Sequence, residues 1–384
     1  MASPSGYSIA DYGCMIDCEP RFSIYAEALK RTITPGCSVL DIGAGFGVFA
    51  LLACKYGAGS VVAIETDPSI ELLPEIARAN GLADRIRIVR GLSTEFDPDR
   101  QADVIISDLR GTVPLFENHI ATIVDARDRL LANGGSLLPL RDTLRIALVS
   151  SPKAYRPSKL PWVSRKHGLD LSAGRRFAIN DTSKEYLRPA ALLSEPVDLA
   201  VLDYRTITSP DLDSTVDLVA SRESIAHGLL IWFDAEISPG LTYSNQPGQP
   251  PLVYGQMFLP FAEPIALERE ETVTARIRAR LLGQDYTWNW DCEVRDDNSG
   301  AVRHSFRQSS FLKQIHPADR LQSGADHHVP PPSPTMEIDA ECLRLARQGH
   351  SLGEIARAVS NTHAEHLPTY ERALDHVANL MRRY

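Results

Sequence analysis

The sequence is poor in cysteine, and the cysteines it has are scattered. Its 384 residues include six cysteines, at positions 14, 18, 37, 54, 292 and 342. No two of them form a CxxC pair, which disfavours a zinc ribbon. The histidines near the end, at 304, 316, 327 and 328, also lack a metal-ligand spacing. We therefore expect no metal site, and reduced thiols of the kind found in cytoplasmic proteins.

Long apolar runs and an excess of positive charge are also missing. No run approaches the 18 residues that a membrane helix needs, and the first residues, MASPS, do not resemble a signal peptide. The net charge of −9 argues against a broad nucleic-acid footprint. With 43% hydrophobic and 23% charged residues, the composition is that of a globular protein, and the length suggests two or three domains.

A glycine-rich segment is the most informative feature that is present. Residues 39–48 read VLDIGAGFGV, and residues 61–65 read VVAIE. The first segment predicts a buried strand that ends near Asp41 and a turn that opens a helix. Three glycines in that turn permit positive φ and close approach of a ligand to the backbone; they are Gly43, Gly45 and Gly47. Glu65 ends the next strand, where a carboxylate can accept hydrogen bonds from ribose hydroxyls.

This pattern predicts a nucleoside at the carboxyl ends of parallel strands, and S-adenosylmethionine with methyl transfer is the interpretation we favour. A dinucleotide is the competing ligand. Its GxGxxG turn places the third glycine three residues after the second, whereas here the spacing between the second and third is two. A purely structural tight turn is the remaining alternative.

The order of apolar segments predicts the domain organisation. Residues 1–36 form a helical lid, and residues 37–150 alternate strands and helices as in a parallel α/β sheet. Within 134–150 we expect a return hairpin. Residues 151–318 favour an antiparallel, β-barrel-like domain, with a helical interruption near 162–189. A linker at 319–335 precedes a helical module at 336–384, with helices at 338–348, 351–360 and 368–383.

Four motifs together resemble the protein arginine methyltransferases, and more closely their bacterial relatives, over about residues 7–315. The motifs are residues 12–25, the 41–47 loop with Glu65, the loop 107–117 (SDLRGTVPLFE), and residues 125–139. The resemblance implies an α/β cofactor domain followed by a β-barrel-like domain. It also implies a homodimer formed through a helical arm, which would lie near residues 160–185.

The resemblance also implies roles for individual residues. Arg21 would pair with the methionine carboxylate of the cofactor, as a guanidinium fork suits a carboxylate. Met15 would lie near the reacting sulfur, and Ser93 and Thr94 would contact adenine.

Asp108 and Glu117 occupy the positions of the two acids that hold the substrate guanidinium in the family, and the nine-residue spacing is kept. Carboxylates can orient a guanidinium and help to remove a proton from it. Asp108 is one methylene shorter than the family's glutamate. The alternative for Asp108 is a structural role, as a helix cap or an acceptor for a backbone N–H.

Other departures keep the acceptor open. The family's Thr-His-Trp loop is replaced by Leu252-Val253-Tyr254, and Arg110 stands where an apolar residue is common. We expect a peptide, protein or small molecule with a guanidino or amino nitrogen as acceptor. A binding or scaffold protein without turnover, and an O- or ring-N-methyltransferase of a natural product, are the alternatives. The tetrad typical of nucleic-acid amino-methyltransferases is missing after the fourth strand, which makes nucleic acid an unlikely substrate.

The C-terminal module resembles helix-turn-helix units and small peptide-docking domains in the segment 351–359. Its numbers of arginines and acidic residues are nearly equal, which argues against DNA binding. Packing in a dimer and docking of a peptide or partner are both open.

Overall fold

The computed structural model describes residues 7–295, 300–315, 317, 322–323 and 325–383. Contacts within the chain group residues 3–315 into one unit and residues 316–384 into another. The predicted linker at 319–335 lies partly outside the described residues. The two units are described separately.

A five-stranded parallel sheet forms the first half of the larger unit, with the order β3-β2-β1-β4-β5. Its strands are β1 Ser38–Ile42, β2 Ser60–Glu65, β3 Ile86–Arg90, β4 Ala102–Ser107 and β5 Leu131–Leu138. Every residue of β1 is buried, as expected for a central strand covered on both faces. The strand order reverses between β1 and β4, which is where ligands bind in open α/β sheets.

Five helices flank this sheet. They are α1 Ile9–Asp17, α2 Glu19–Thr32, α3 Val48–Tyr56, α4 Leu73–Ala79 and α5 His119–Asp125. A capping box at Ser8 starts α1, because the Ser8 hydroxyl accepts the N–H of Asp11 and the Asp11 carboxylate accepts the N–H of Ser8. The 3₁₀ segment Pro68–Leu72 precedes α4, and the π segment Ala126–Leu130 follows α5. The predicted alternation of strands and helices is confirmed.

Two antiparallel sheets form the second half of this unit. One has the order β7-β12-β10-β6-β8 with β11 beside β10, and the other has the order β15-β14-β13-β9. The strands are β6 Arg141–Val149, β7 Ser183–Glu185, β8 Val197–Asp203, β9 Leu212–Val219, β10 Ser224–Ser238, β11 Leu241–Ser244, β12 Gln256–Leu267, β13 Thr272–Leu282, β14 Asp285–Arg295 and β15 Val302–Ser309. One hydrophobic core joins these sheets to the first domain.

The expected return hairpin within 134–150 is wrong. Strand β5 pairs in parallel with β4 in the first sheet, whereas β6 pairs with β10 and β8 in the second domain. The chain leaves the first sheet between them, at Pro139 and Leu140. Residues 141–150, which we placed in the first domain, therefore begin the second.

A helical arm leaves the second domain after β6. It consists of α6 Pro152–Val163, two 3₁₀ turns and α7 Arg175–Ala178. Several large apolar side chains of the arm are exposed, namely Leu160, Val163, Leu169 and Leu171. The helical interruption predicted near 162–189 is thus present, and it begins ten residues earlier.

Within the described part of the C-terminal unit, residues 334–381 contain the helices α8 Pro334–Arg347, α9 Leu352–Thr362 and α10 Tyr370–Met381. They enclose a core of their own, which includes Ile338, Cys342, Ile355 and Val377. Side-chain pairs link α8 to the rest of the module, because His363 contacts Glu341 and His376 contacts Asp339.

Among the described residues, no helix combines the length and the apolar character that crossing a membrane requires.

Candidate active site

The glycine turn lies between β1 and α3, at the carboxyl edge of the parallel sheet. Gly43, Gly45 and Gly47 all have positive φ, of 71°, 56° and 83°. A Cβ atom at Gly43 would lie 2.2 Å from Leu109 Cδ2, and one at Gly45 would lie 2.8 Å from Tyr12 Cε1. Backbone conformation and close packing therefore both require glycine at these positions.

The two acids of this region bind backbone N–H groups. Asp41 is buried at the end of β1 and accepts a hydrogen bond of 2.9 Å from the N–H of Ala50 in α3. Burial raises the pKa of Asp41 to about 7, against the effect of the Ala50 hydrogen bond. Glu65 accepts a hydrogen bond of 2.8 Å from the N–H of Gly45, so β2 and the glycine turn are joined through this side chain.

The helical lid carries Arg21 into the same region. This side chain is buried, and its Nε atom lies 2.6 Å from Oδ2 of Asp108 and 2.9 Å from the Tyr254 hydroxyl. Its Nη1 atom donates to the carbonyl of Met15 at 3.1 Å. Among the described residues, none accepts a hydrogen bond from Nη2. One edge of the guanidinium is thus bound by the protein, and one nitrogen is left for a ligand.

Asp108 follows β4 and is surrounded by donors. Its Oδ2 atom accepts from Arg21 and from the Tyr254 hydroxyl at 2.7 Å, and its Oδ1 atom accepts from Arg110 Nη1 at 2.9 Å. Burial would raise the pKa of Asp108, but Arg21 and Arg110 outweigh it and hold this pKa well below its usual range. The carboxylate expected to hold a substrate is therefore ionised and already bound to two arginines of its own chain.

Glu117 is in a different environment at the other end of the same loop. It is exposed, and its φ of 42° is unusual for a residue other than glycine. Its carboxylate has no hydrogen-bond or ion-pair partner among the described residues. Partial burial raises the pKa of Glu117, and the Asp285 carboxylate raises it further. Glu117 is thus an available carboxylate.

The charges of both acids act on Tyr7. Burial raises the pKa of the Tyr7 hydroxyl, and the charges of Glu117 and Asp108 both raise it further.

Ser93 and Thr94 follow β3 in a short 3₁₀ turn. Ser93 is buried and its carbonyl accepts from Arg129 Nη2, whereas Thr94 is exposed. Their predicted contact with adenine stays a prediction.

Arg110 is the residue whose role the sequence left open, and it does not face solvent. Its side chain is fully buried and forms a bidentate pair with Asp142, with distances of 2.7 Å and 2.9 Å. The Tyr204 hydroxyl donates to Asp142 and lies 3.1 Å from His119 Nε2. Sequence reasoning missed Asp142, Tyr204 and His119. The one signal for them is a charged residue, Asp142, near the start of a strand that ends in the apolar run 146–149.

Tyr254 also has a defined place. It is buried, its ring stacks on that of Tyr243, and its hydroxyl bonds to Asp108. The loop that replaces the family's Thr-His-Trp loop therefore contacts the site through a tyrosine. Within the described residues, no group of histidine, cysteine and acidic side chains could hold a metal ion.

Comparison with known proteins identifies the two domains. Residues 23–137 match the model of the ribosomal protein L11 methyltransferase family, and residues 141–293 match the arginine methyltransferase oligomerization subdomain. An arginine N(omega)-methyltransferase of Streptomyces achromogenes subsp. streptozoticus is 31% identical over 273 residues, which are 68% of this chain and 74% of that protein. The chain belongs to the arginine methyltransferase family.

A further relative supports this placement, and two solved structures share the fold. A probable protein arginine N-methyltransferase 6 of Arabidopsis thaliana is 27% identical, over 68% of this chain and 71% of its own. A Trypanosoma brucei PRMT1 enzyme–prozyme heterotetramer with AdoHcy shares the fold, with a TM-score of 0.70 and 22% identity over 78% of this chain and 96% of that one. Arabidopsis thaliana protein arginine methyltransferase 10 has a TM-score of 0.69 and 19% identity, over 79% and 97%.

Membership in the arginine methyltransferase family confirms several expectations. The protein is an S-adenosylmethionine-dependent methyltransferase, with a parallel-sheet cofactor domain, an antiparallel β-domain and C-terminal helices. The match at 141–293 also identifies the second domain as similar to the oligomerization subdomain of the family.

Proposed function

We propose that this methyltransferase modifies a guanidino nitrogen of a peptide, a protein or a small molecule. The observation that carries the proposal is the arrangement of the 107–117 loop. It holds an ionised Asp108 at one end and, at the other, an exposed Glu117 that has no partner among the described residues. The charges of both acids act on Tyr7. A cationic acceptor needs such negative charge next to the methyl donor.

The residues of the site fit the cofactor that the family uses. Arg21 has one nitrogen without an acceptor among the described residues, and it would bind the methionine carboxylate, whereas Glu65 at the end of β2 would accept the ribose hydroxyls. Asp41 and the glycines shape the turn that would hold the nucleoside. Met15 would lie beside the sulfur, and Ser93 with Thr94 beside adenine. When bound, S-adenosylmethionine supplies an electrophilic methyl group on a sulfonium sulfur.

The two carboxylates then have different tasks. Glu117 holds the acceptor cation and accepts the proton that its nitrogen loses, since the raised pKa suits a proton acceptor. Asp108 cannot take this role, because its pKa is held well below the usual range. It keeps Arg21 and Arg110 in place, and its negative charge favours the cationic acceptor.

The test is methyl transfer from labelled S-adenosylmethionine to free arginine and to arginine-containing peptides, with products identified by mass spectrometry. Glu117→Gln should lower turnover by roughly 100-fold or more and leave cofactor affinity nearly unchanged, because it removes contacts made to the acceptor. Glu195→Gln is the matched control, since Glu195 is exposed and outside the site. Normal turnover on arginine in Glu117→Gln would refute the proposal.

An amino nitrogen is the second candidate acceptor. It is favoured by the hydrogen bonds that Asp108 already accepts from three donors. These bonds leave the carboxylate little capacity to accept two more from a guanidinium. An amine needs only one carboxylate, and Glu117 is available. Products methylated on lysine or on a primary amine, with arginine unmodified, would select this candidate.

We also propose that the protein acts as a homodimer. The arm exposes Leu160, Val163, Leu169 and Leu171 within one short segment, and exposed apolar surface of this kind can be covered by a second copy of the chain. Leu169→Asp should convert the dimer to a monomer in light scattering. Val201→Asp, at an equally exposed position on β8, should not. A wild-type monomer at micromolar concentration would contradict the proposal.

A cytoplasmic location is the last part of the proposal. It is supported by the six cysteines, none of which forms a disulfide. Fractionation of the producing cells tests it, and recovery outside the cytoplasm would contradict it.

A further inference from the structure

A chain of polar contacts runs through the protein interior behind the active site. It begins at Asp108 and passes through side chains of both domains, in the order Asp108, Arg110, Asp142, Tyr204 and His119. We call these five residues the buried relay. Arg110, Asp142, Tyr204 and His119 are buried, and the side chains of Arg110 and Asp142 are completely inaccessible. The side chain of Asp108 is 5% exposed. Such groups are costly to bury unless they are paired, so their arrangement is closely determined.

The two ends of the relay lie at the two ends of one loop. Asp108 and Arg110 stand at the beginning of the loop, next to the end of β4. His119 is the first residue of α5 and lies two residues after Glu117. The backbone N–H of His119 also closes a turn onto the carbonyl of Phe116, at 3.1 Å. Glu117 therefore lies inside a backbone turn that ends at His119, a residue of the relay.

The middle of the relay belongs to the second domain. Asp142 is on β6, and Tyr204 directly follows β8, which pairs with β6. The backbone carbonyl of Tyr204 is held in turn by Arg127 of the first domain, at 3.2 Å. The catalytic loop of the first domain is thus tied to the second domain through side chains that do not reach the site.

The hydrogen-bond directions are consistent along the relay. The Tyr204 hydroxyl donates to Asp142, so its oxygen is free to accept the Nε2 proton of His119. Burial lowers the pKa of His119 to about 3, and the charge of Arg110 adds to this effect. His119 is therefore neutral, with its proton on Nε2, and acts as a donor.

We propose that the buried relay sets the position of the Glu117 carboxylate, which makes Asp142, Tyr204 and His119 positioning residues for methyl transfer. The proposal rests on the proposed role of Glu117 toward the acceptor. Displacement of a catalytic group by about 1 Å can cost on the order of 100-fold in rate. Loosening the relay should therefore lower turnover while leaving the cofactor contacts intact.

Tyr204→Phe is the central variant, because loss of one oxygen atom breaks the relay at two contacts. Tyr155→Phe is its matched control: Tyr155 is also buried, and its hydroxyl donates to the carbonyl of Ala262, which is not part of the relay. We expect Tyr204→Phe to lower kcat roughly tenfold or more, with affinity for S-adenosylhomocysteine within about twofold of wild type. Tyr155→Phe should lower the Tm to a similar extent and keep kcat. Equal kcat values in the two variants would overturn the proposal.

A double-variant cycle shows whether the effect passes through Glu117. If it does, Tyr204→Phe should cost little further turnover in a Glu117→Gln background, because the group that it positions is already disabled. If the two substitutions instead lower turnover by factors that multiply in the double variant, Tyr204 acts on something other than Glu117, and the proposal is overturned.

Two substitutions at His119 separate the effect of hydrogen bonding from that of packing. His119→Gln retains a donor toward Tyr204 and should rescue much of the activity that His119→Leu loses.

Hydrogen exchange gives a readout that needs no acceptor. Amides of residues 111–119 should exchange faster in Tyr204→Phe than in Tyr155→Phe. If no guanidino or amino compound is methylated but this difference is found, the proposed acceptor is wrong and the relay still positions the loop. If arginine is methylated and the two exchange patterns are the same, the relay proposal alone fails.

Discussion

The Nε atom of Arg21 and Oδ2 of Asp108 form a 2.6 Å ion pair between the helical lid and the catalytic loop. The two side chains are 10% and 5% exposed, so water contributes little to either charge. Asp108 is also bound by Arg110, and this one carboxylate balances parts of two buried cations. Its first role is therefore electrostatic support of the protein's own arginines.

The first prediction concerns that support. Asp108→Asn removes the charge that Arg21 and Arg110 share, and leaving buried charges uncompensated typically costs about 3–5 kcal/mol. We expect a loss of this order in the free energy of unfolding, measured by urea denaturation. Glu117→Gln is the control, since substitution of an exposed, unpaired side chain usually changes stability by about 0.5 kcal/mol or less. Equal stability of the two variants would contradict the electrostatic role of Asp108.

The second prediction concerns cofactor affinity. Arg21→Ala should weaken binding of S-adenosylhomocysteine by roughly 10- to 100-fold, because a charge-assisted contact to the carboxylate is lost. Isothermal calorimetry measures it. Arg31→Ala is the control on the same helix, since Arg31 is exposed and pairs with Glu27. Unchanged affinity in Arg21→Ala would assign the carboxylate to another residue.

The third prediction concerns pH. The proposed proton acceptor Glu117 works only when ionised, and burial together with Asp285 raises its pKa. Turnover should therefore fall as the pH decreases through this raised pKa. The pH–rate profile should show the loss of activity with binding of one proton, with a midpoint above the usual glutamate pKa of about 4.3. Asp108 stays ionised throughout, because its pKa is shifted the other way. If the weak activity that remains in Glu117→Gln shows the same decrease at low pH, the titrating group is not Glu117.

The fourth prediction concerns the glycine turn. Gly43→Ala places a Cβ atom 2.2 Å from Leu109 Cδ2 and fixes an alanine at a φ of 71°. The second effect alone costs roughly 1–2 kcal/mol. Leu109→Ala removes the steric contact but not the backbone strain. The Gly43→Ala/Leu109→Ala double variant should therefore lose less stability than the sum of the two single variants. Additive losses in urea denaturation would mean that Leu109 moves aside freely.

The sequence predicted the features that depend on a short stretch of chain. The glycine turn and the two strands beside it follow from local spacing, since β1 Ser38–Ile42 and β2 Ser60–Glu65 lie in the segments where strands were predicted. The partners of Arg110 could not be predicted in this way. Asp142 lies 32 residues away and Tyr204 lies 94, on strands whose register depends on packing. For the same reason, Asp108 was expected to be open to substrate, although two arginines of its own chain bind it.

The Arg110–Asp142 pair carries an evolutionary consequence. A buried arginine without its aspartate, or the reverse, leaves an uncompensated charge, so the fold tolerates either residue poorly on its own. An evolving sequence can therefore replace an apolar pair at these positions by Arg110 and Asp142 in two ways. Either both codons change nearly together, or an intermediate with one charged residue exists briefly with low stability. Among homologues, the identities at these two positions should covary, and an arginine in the loop should be inherited with an acid on the strand.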